Sequence, residues 1–230
     1  MSRPELLEPR QAYALWAASY PPRAHNAVMQ AEQRAMLTLI PDDLHGYRVL
    51  DAGCGSGRYM LHALHRGATH VTGVDLSPEM LRRAAEELNA SRDRVELLRG
   101  DLAALPLPDA CADLTICALA VGHVRDLQLA LSELRRVTRA EGLILCSDVH
   151  PAGQTLGWQR DFKSGGGHYA VRHTLHARED WHAACAELEL ELEQILEPML
   201  DPAEIPCDAH FDPKALEIPV ALVLRLRRSS

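Results

Sequence analysis

Hydrophobic and polar positions change period twice along the chain. Within Ala24–Ile40, residues Ala27, Val28, Ala31, Ala35, Met36 and Leu39 recur at helical spacing, and Pro41 ends the run. From Arg48 onward, short apolar runs alternate with amphipathic stretches. Arg48–Asp51, His70–Asp75, Val95–Leu98, Ala112–Leu119 and Leu143–Val149 read as buried strands. Between them, Gly57–His65, the segment opened by Ser77-Pro78-Glu79, and Asp126–Thr138 read as helices. Ser77 suits an N-cap and Pro78 a first helical position. Arg135, Arg136 and Arg139 suit a helix C-terminus. Strands separated by helices predict an α/β fold with a parallel sheet and right-handed crossovers. After Val149 the alternation breaks. Pro151, Gly153, Gly157 and Gly165–Gly167 predict a loop or lid. His168–His176 then reads as an extra strand, Arg178–Leu188 as a helix, and Leu190–Leu196 and Ile218–Leu226 as closing strands. The chain thus divides into a helical N-terminal cap (1–45), an α/β core (46–150), an insertion and helix (151–188) and C-terminal strands (189–230), all one domain.

Composition narrows the function classes. The chain has 230 residues and a net charge of −8, against a general grip on nucleic-acid phosphates. Its apolar runs, such as Pro219–Leu226, are too short to span a bilayer. Met1–Arg10 has no apolar core, so a signal peptide is not expected. The six cysteines, Cys54, Cys111, Cys117, Cys146, Cys185 and Cys207, form no C-x-x-C pair. They read as small core hydrophobes in a reducing, cytoplasmic setting. Twelve histidines occur without an H-x-x-x-H helix, so no metal is expected.

The chemistry concentrates at Val49-Leu50-Asp51-Ala52-Gly53-Cys54-Gly55-Ser56-Gly57, where a strand runs through a glycine turn into a helix. Glycine allows close backbone approach to a ligand. The spacing G-x-G-x-G is not the dinucleotide fingerprint, and Gly57-Arg58-Tyr59 is not a P-loop. That spacing disfavours a nicotinamide-dependent oxidoreductase. Asp51, just ahead of the loop, would repel a pyrophosphate and suits a cationic ligand. Asp75, at the next strand end, can accept ribose hydroxyls. Gly100-Asp101 follows the third strand, where an acid can meet an adenine amine.

Together, Leu50–Gly57, Asp75-Leu76-Ser77, Gly100-Asp101 and the strand at Ala112–Ala120 resemble the class I S-adenosylmethionine-dependent methyltransferases. The small-molecule branch that includes the ubiquinone, menaquinone and biotin-type enzymes is the most similar. The resemblance covers about residues 46–150. It implies a Rossmann-like seven-stranded sheet, mostly parallel, with the last strand antiparallel. It also implies S-adenosyl-L-methionine as methyl donor and S-adenosyl-L-homocysteine as product. By the same resemblance Gly53 and Gly55 pass close to the methionine part, and Asp51 lies near its ammonium. Asp75 binds ribose, Leu76 and Met80 pack on adenine, and Asp101 contacts the amine with Leu102 beside it. The backbone at Ala118–Leu119 lies near the sulfonium or its chain. Tyr13-x-x-Trp16-Ala17-x-x-Tyr20 is similar to a tyrosine-bearing element that folds over the donor, which adds Tyr20 to that site. The family version often reads Tyr-Asp, where this chain has Ala14 and Pro21 after its tyrosines.

The acceptor is less defined. Preorientation supplies on the order of 7–11 kcal/mol of such a barrier, and a base is needed only when the acceptor must lose a proton. His123 and His150, at the ends of the fourth and fifth strands, are the candidate bases. They tilt the expectation toward O-methylation over N- or C-methylation. Tyr13, Trp16, Tyr20, Trp158, Phe162, Tyr169 and Trp181 fall outside the predicted sheet. These rings either wall an acceptor pocket or fasten the cap. Tyr13, Trp16, His25, Trp158, His168 and Tyr169 are the candidate substrate contacts. His168 and His173, on one predicted strand, would face opposite ways. The expected partner is a small molecule, bound by a monomer or homodimer. A carrier-bound acid is the alternative acceptor, for which Arg82, Arg83, Arg135, Arg136 and Arg139 offer a basic surface. A non-catalytic cofactor-binding scaffold is the other alternative.

Overall fold

The chain folds around one twisted sheet whose two faces each bury an apolar layer. The computed structural model describes residues 3–205 and 212–229; Cys207 lies outside them. Its elements are β1 (Glu5–Leu7), α1 (Pro9–Trp16), α2 (Ala27–Leu39), β2 (Arg48–Ala52), α3 (Arg58–His65), β3 (His70–Asp75), α4 (Pro78–Glu87) and β4 (Val95–Arg99). They continue as β5 (Ala112–Ala118), α5 (Leu127–Val137), β6 (Thr138–Val149), β7 (Asp161–Ser164), β8 (Gly167–Val171), α6 (Arg178–Glu187), β9 (Leu190–Leu196) and β10 (Ala221–Arg228).

Seven strands form the main sheet in the order β4-β3-β2-β5-β6-β10-β9. The first five are mutually parallel, and β10 runs antiparallel to both neighbours. Alternate residues of each strand serve opposite layers. Val49, Leu114, Ile116 and Leu145 pack under α2 and α3 with Met36, Met60 and Leu64. Leu50, Cys117, Ile144 and Cys146 pack under α5 and α6 with Leu131, Leu134 and Trp181. Each fully buried leucine contributes about 1.5–3 kcal/mol. Helix starts are set by side chains that accept from the first turn: Asn26 from the Met29 N–H, Ser77 from Met80 and Asp126 from Leu129.

The cap differs from the sequence reading. The first segment is not wholly helical: β1 pairs in parallel with β8, in a second sheet of order β1-β8-β7. The N-terminus and the insertion therefore make one lobe, cored by Ala12, Phe162 and Val171. The stretch read as a loop contains β7, and the glycines make its hairpin. Gly165 and Gly166, at φ +54° and +82°, form a two-residue turn between Ser164 and Gly167. The strand predicted at His168–His176 ends at Val171, so His168 and His173 do not share a strand. Trp181 leaves the cap group altogether; it is fully buried under the main sheet. β6 begins at Thr138 rather than Leu143, because Thr138 already pairs with Ala112.

Candidate functional site

The strand order reverses between β2 and β5, and the glycine loop sits at that point. Gly53, Gly55 and Gly57 all have left-handed φ, at +78°, +53° and +86°. At Gly53 the protein itself demands glycine: a Cβ there would stand 2.5 Å from the Ala120 Cβ. At Gly55 a Cβ would meet nothing within 4 Å, since the residue opens onto a cavity. Asp75 holds the loop in place. Its Oδ2 accepts from the Gly55 N–H at 2.9 Å, and its Oδ1 from the Ser77 N–H at 2.8 Å.

That cavity, of about 340 Å³, lies over the carboxyl ends of β2, β3, β4 and β5. It is lined by Tyr20, Asp51, Gly53, Gly55, Asp75, Leu76, Met80, Asp101, Leu102, Ala118 and Leu119, with Tyr13 and His123 on the cap side. Burial pushes the Asp51 carboxyl up to about 7, an effect eased by the Arg58 charge and reinforced by Asp75. Asp75 is also raised by burial, against the pull of its backbone donors. Among the described residues neither acid has a salt-bridge partner. The floor is thus acidic and uncompensated, the wrong charge for a pyrophosphate and the right one for a cation with hydroxyls.

The opposite wall is basic. The Arg160 Nη1 donates to the Tyr13 Oη at 2.7 Å and to the Leu119 carbonyl at 3.0 Å. The Tyr13 hydroxyl then donates to His123 Nε2, 2.9 Å away. Arginine can only donate, so this order fixes His123 Nε2 as an unprotonated acceptor. Burial, with the charges of Arg160 and His173, holds the His123 imidazole well below its ordinary range. Burial raises the Tyr13 phenol, which stays protonated. Leu119 itself has φ +54°, an uncommon value for a residue with a side chain. Its N–H is held by the Ser147 Oγ at 3.1 Å.

Below this wall lies a buried network that ties the cap to the sheet. Glu32 of α2, with no exposed surface, accepts from Arg58 at 3.0 Å, from the Tyr59 hydroxyl at 2.9 Å and from the Ser147 hydroxyl at 2.6 Å. Nothing in the sequence reading singled out Glu32, Ser147 or Arg160. Glu32 left a trace, a charge on the apolar face of a helix. Arg160, in an irregular stretch, left none.

Other expected contacts are dispersed. Trp16 and His25 line a second cavity, of about 380 Å³, with Tyr20, Phe162 and Arg160. Trp158 packs on the backbone of Gly153, away from both cavities. Tyr169 stacks obliquely on Phe162, with ring centroids 5.6 Å apart. His168 is paired with Asp161 at 2.5 Å. His150 also lines neither cavity: its Nδ1 accepts from the Ala152 N–H, and its Nε2 lies 3.3 Å from Glu197. The five surface arginines are each within salt-bridge range of an acid: Arg82 with Glu79, Arg83 with Glu86, Arg135 with Glu189, Arg136 with Glu133 and Arg139 with Asp113. Among the described residues no cluster of three or more His, Cys, Asp or Glu could hold a metal ion, and no helix is long and apolar enough to cross a membrane.

The sheet order, the antiparallel β10 and the acid-edged glycine loop define a class I S-adenosylmethionine-dependent methyltransferase fold. Residues 50–146 match the family described as the methyltransferase domain. It is 40% identical over 128 residues to the malonyl-[acyl-carrier protein] O-methyltransferase of Pectobacterium atrosepticum, covering 54% of this chain and 48% of that protein. It is 38% identical over 138 residues to the enzyme of that name from Yersinia pestis, covering 60% and 49%. The chain thus spans about half the length of these relatives. A crystal structure of an S-adenosylmethionine-dependent methyltransferase from Mesorhizobium loti superposes with a TM-score of 0.67 at 25% identity, covering 86% of this chain and 98% of that one.

Proposed function

We propose that the chain binds S-adenosyl-L-methionine in the 340 Å³ cavity and transfers its methyl group to an oxygen of a small or carrier-bound acceptor. The observation that carries this reading is the convergence of Asp51, Gly53, Gly55, Asp75 and Asp101 on one cavity at the switch point. The residues fit the donor. The open cradle at Gly55 admits a ligand that any side chain would meet. The uncompensated acids suit its cationic and hydroxyl groups. When bound, the donor supplies an activated methyl carbon on a sulfonium.

The chain's own residues then bind and enclose. An ionised Asp75 offers about four acceptor positions, and its backbone donors, Gly55, Ser77 and Leu76, leave room for a ribose hydroxyl. Asp51 faces the ammonium end. Leu76, Met80 and Leu102 take the adenine, and Asp101 its amine. Tyr13 and Tyr20 close over the reacting centre and exclude water. In this reading residues 46–150 hold the donor, 1–45 and 151–188 cover the acceptor, and 189–230 complete the sheet. A cytoplasmic setting suits the free buried thiols of Cys54, Cys117, Cys146 and Cys185.

A carboxylate oxygen is the acceptor we favour. The Nε2 of His123 is engaged by Tyr13, and an acid that is already ionised needs no base. The names of the relatives support the same class. Calorimetric titration with S-adenosylmethionine and S-adenosylhomocysteine, with NADH as control, tests the reading. Saturable binding of the first two alone is expected. A folded protein that binds neither would be a scaffold with the methyltransferase fold.

A further inference from the structure

Arg160 stands between the two cavities and lines both. It reaches the donor cavity at the end of β5, where its Nη1 bonds the carbonyl of Leu119. Arg58, also in that wall, is neutralised by Glu32. Arg160 is not: among the described residues no carboxylate lies within salt-bridge range of it, and all its hydrogen bonds are made by Nη1. The partners of that nitrogen, a phenol, a carbonyl and a neutral imidazole, fix the guanidinium without cancelling its charge. A half-buried cation held rigidly and left unpaired is expensive unless an anion joins it. Guanidinium presents its donors as a planar fork that matches a carboxylate.

The second cavity extends from this arginine outward. Its walls combine the rings of Trp16, Tyr20 and Phe162, with Trp16 and Phe162 stacked at 4.6 Å, and the polar side chains of His25, Lys163 and Asp161, the last paired with His168. Pro21 and Met29 line both spaces as well, so the two adjoin. A cleft of aromatic rings and polar groups that ends at this fixed guanidinium fits an elongated, partly polar molecule that carries a terminal carboxylate.

We propose that Arg160 is the anchor for the acceptor's carboxylate and that the cavity walled by Trp16, Tyr20 and Phe162 holds the acceptor's tail. The acceptor is thereby an acid whose carboxylate ends an elongated molecule. The inference rests on the methyl-transfer reading above. In the step it serves, a lone pair of the carboxylate oxygen attacks the methyl carbon of S-adenosylmethionine. The C–O bond forms as the C–S bond breaks, and that electron pair returns to sulfur. The products are a neutral methyl ester and S-adenosylhomocysteine, with no proton moved. Esterification removes the charge that Arg160 holds, which favours release of the product.

The test is calorimetric binding of monoethyl glutarate, with diethyl glutarate as the uncharged control, to the full chain saturated with S-adenosylhomocysteine. The wild type is expected to bind the half-ester at least tenfold more tightly than the diester. Arg160→Gln is expected to remove that preference while S-adenosylhomocysteine affinity stays within twofold. Arg160→Lys, which keeps the charge and loses the fork, is expected to retain part of it, and it serves if the glutamine variant misfolds. Equal binding of half-ester and diester to the wild type, or an unchanged preference in both folded variants, overturns the proposal. So does a large loss of S-adenosylhomocysteine affinity in Arg160→Gln, which would assign Arg160 to the donor's carboxylate. Failure of the wild type to bind S-adenosylhomocysteine at all is a different result, and overturns the donor reading itself.

Discussion

The Asp75 carboxylate accepts a 2.9 Å hydrogen bond from the backbone N–H of Gly55, so the proposed ribose ligand also fastens the loop that approaches the methionine. Binding and loop geometry are therefore coupled in one side chain. Asp75→Ala is expected to lower S-adenosylhomocysteine affinity by at least a hundredfold. It should also cost about 1–3 kcal/mol of stability, because the Gly55 and Ser77 donors lose a charged acceptor. Asp75→Asn keeps one carbonyl acceptor and should recover most of the stability and little of the affinity. Titration calorimetry and urea denaturation read the two effects separately, and an unchanged affinity in Asp75→Ala would remove it from the donor site.

Gly53 and Gly55 look alike in sequence and have different reasons to be glycine. At Gly53 a methyl group collides with Ala120, whereas at Gly55 it enters the open cavity. Gly53→Ala is expected to destabilise the fold and distort the loop. Gly55→Ala should cost only the left-handed strain of about 1–2 kcal/mol, yet weaken donor binding more than tenfold. Thermal melts with and without S-adenosylhomocysteine distinguish the two. The ligand-induced rise in Tm should vanish in Gly55→Ala while the unliganded Tm moves by a few degrees.

Most of the proposed donor site was legible because its acids and glycines sit at strand ends or in turns whose chemistry is local. Asp51, Gly53, Asp75 and Asp101 follow apolar runs, and strand-end placement needs no knowledge of distant packing. The acceptor side was not. Arg160 reaches the site only because the β7–β8 hairpin folds back onto α1, and the pairing of Glu5 with Tyr169 joins segments far apart in sequence. No periodicity announces that contact. His150 misled for a related reason. A strand end points to the cavity in a parallel sheet, but β6 lies beside β10, and the imidazole turns there to cap the next turn and meet Glu197. The expected consequence is that His150→Ala leaves turnover within about twofold and affects stability by about 1 kcal/mol, as loss of a cap does. A turnover loss of tenfold or more, at unchanged Tm, would restore it as a base.

In the proposed site, Asp51 is expected to make donor binding pH-dependent. Its folded carboxyl is raised to about 7, above the ordinary value near 4, so the unliganded protein holds a proton there at pH 6. A cation bound beside it favours the ionised form. Donor affinity is therefore expected to rise by up to tenfold per pH unit as pH approaches 7, and then to level off, with proton release on binding below that point. For stability the sign is opposite. The folded state holds the proton more tightly than the unfolded chain, so this group's contribution is full below about pH 4 and is lost as pH rises to about 7. Calorimetry in two buffers of different ionisation enthalpy measures the released proton. Asp51→Asn should abolish both the release and the slope.

The Glu32 network gives the sharpest prediction about how the cap is held. Glu32 pairs with Arg58 and accepts from Tyr59 and Ser147 with no water-exposed surface, and Ser147 in turn holds the strained Leu119. Removing one partner of a buried pair leaves the other charge uncompensated, at about 3–5 kcal/mol. Glu32→Ala is thus expected to shift the urea midpoint far more than any surface substitution would. Replacing both charges at once, Glu32→Leu with Arg58→Met, should return much of that loss, since well-packed apolar residues often serve as well as a buried pair. The double variant nevertheless lacks the acceptor for the Ser147 hydroxyl. If the network serves only stability, donor binding recovers with the fold. If it also positions Leu119, the double variant regains its urea midpoint and still binds S-adenosylhomocysteine more weakly than the wild type.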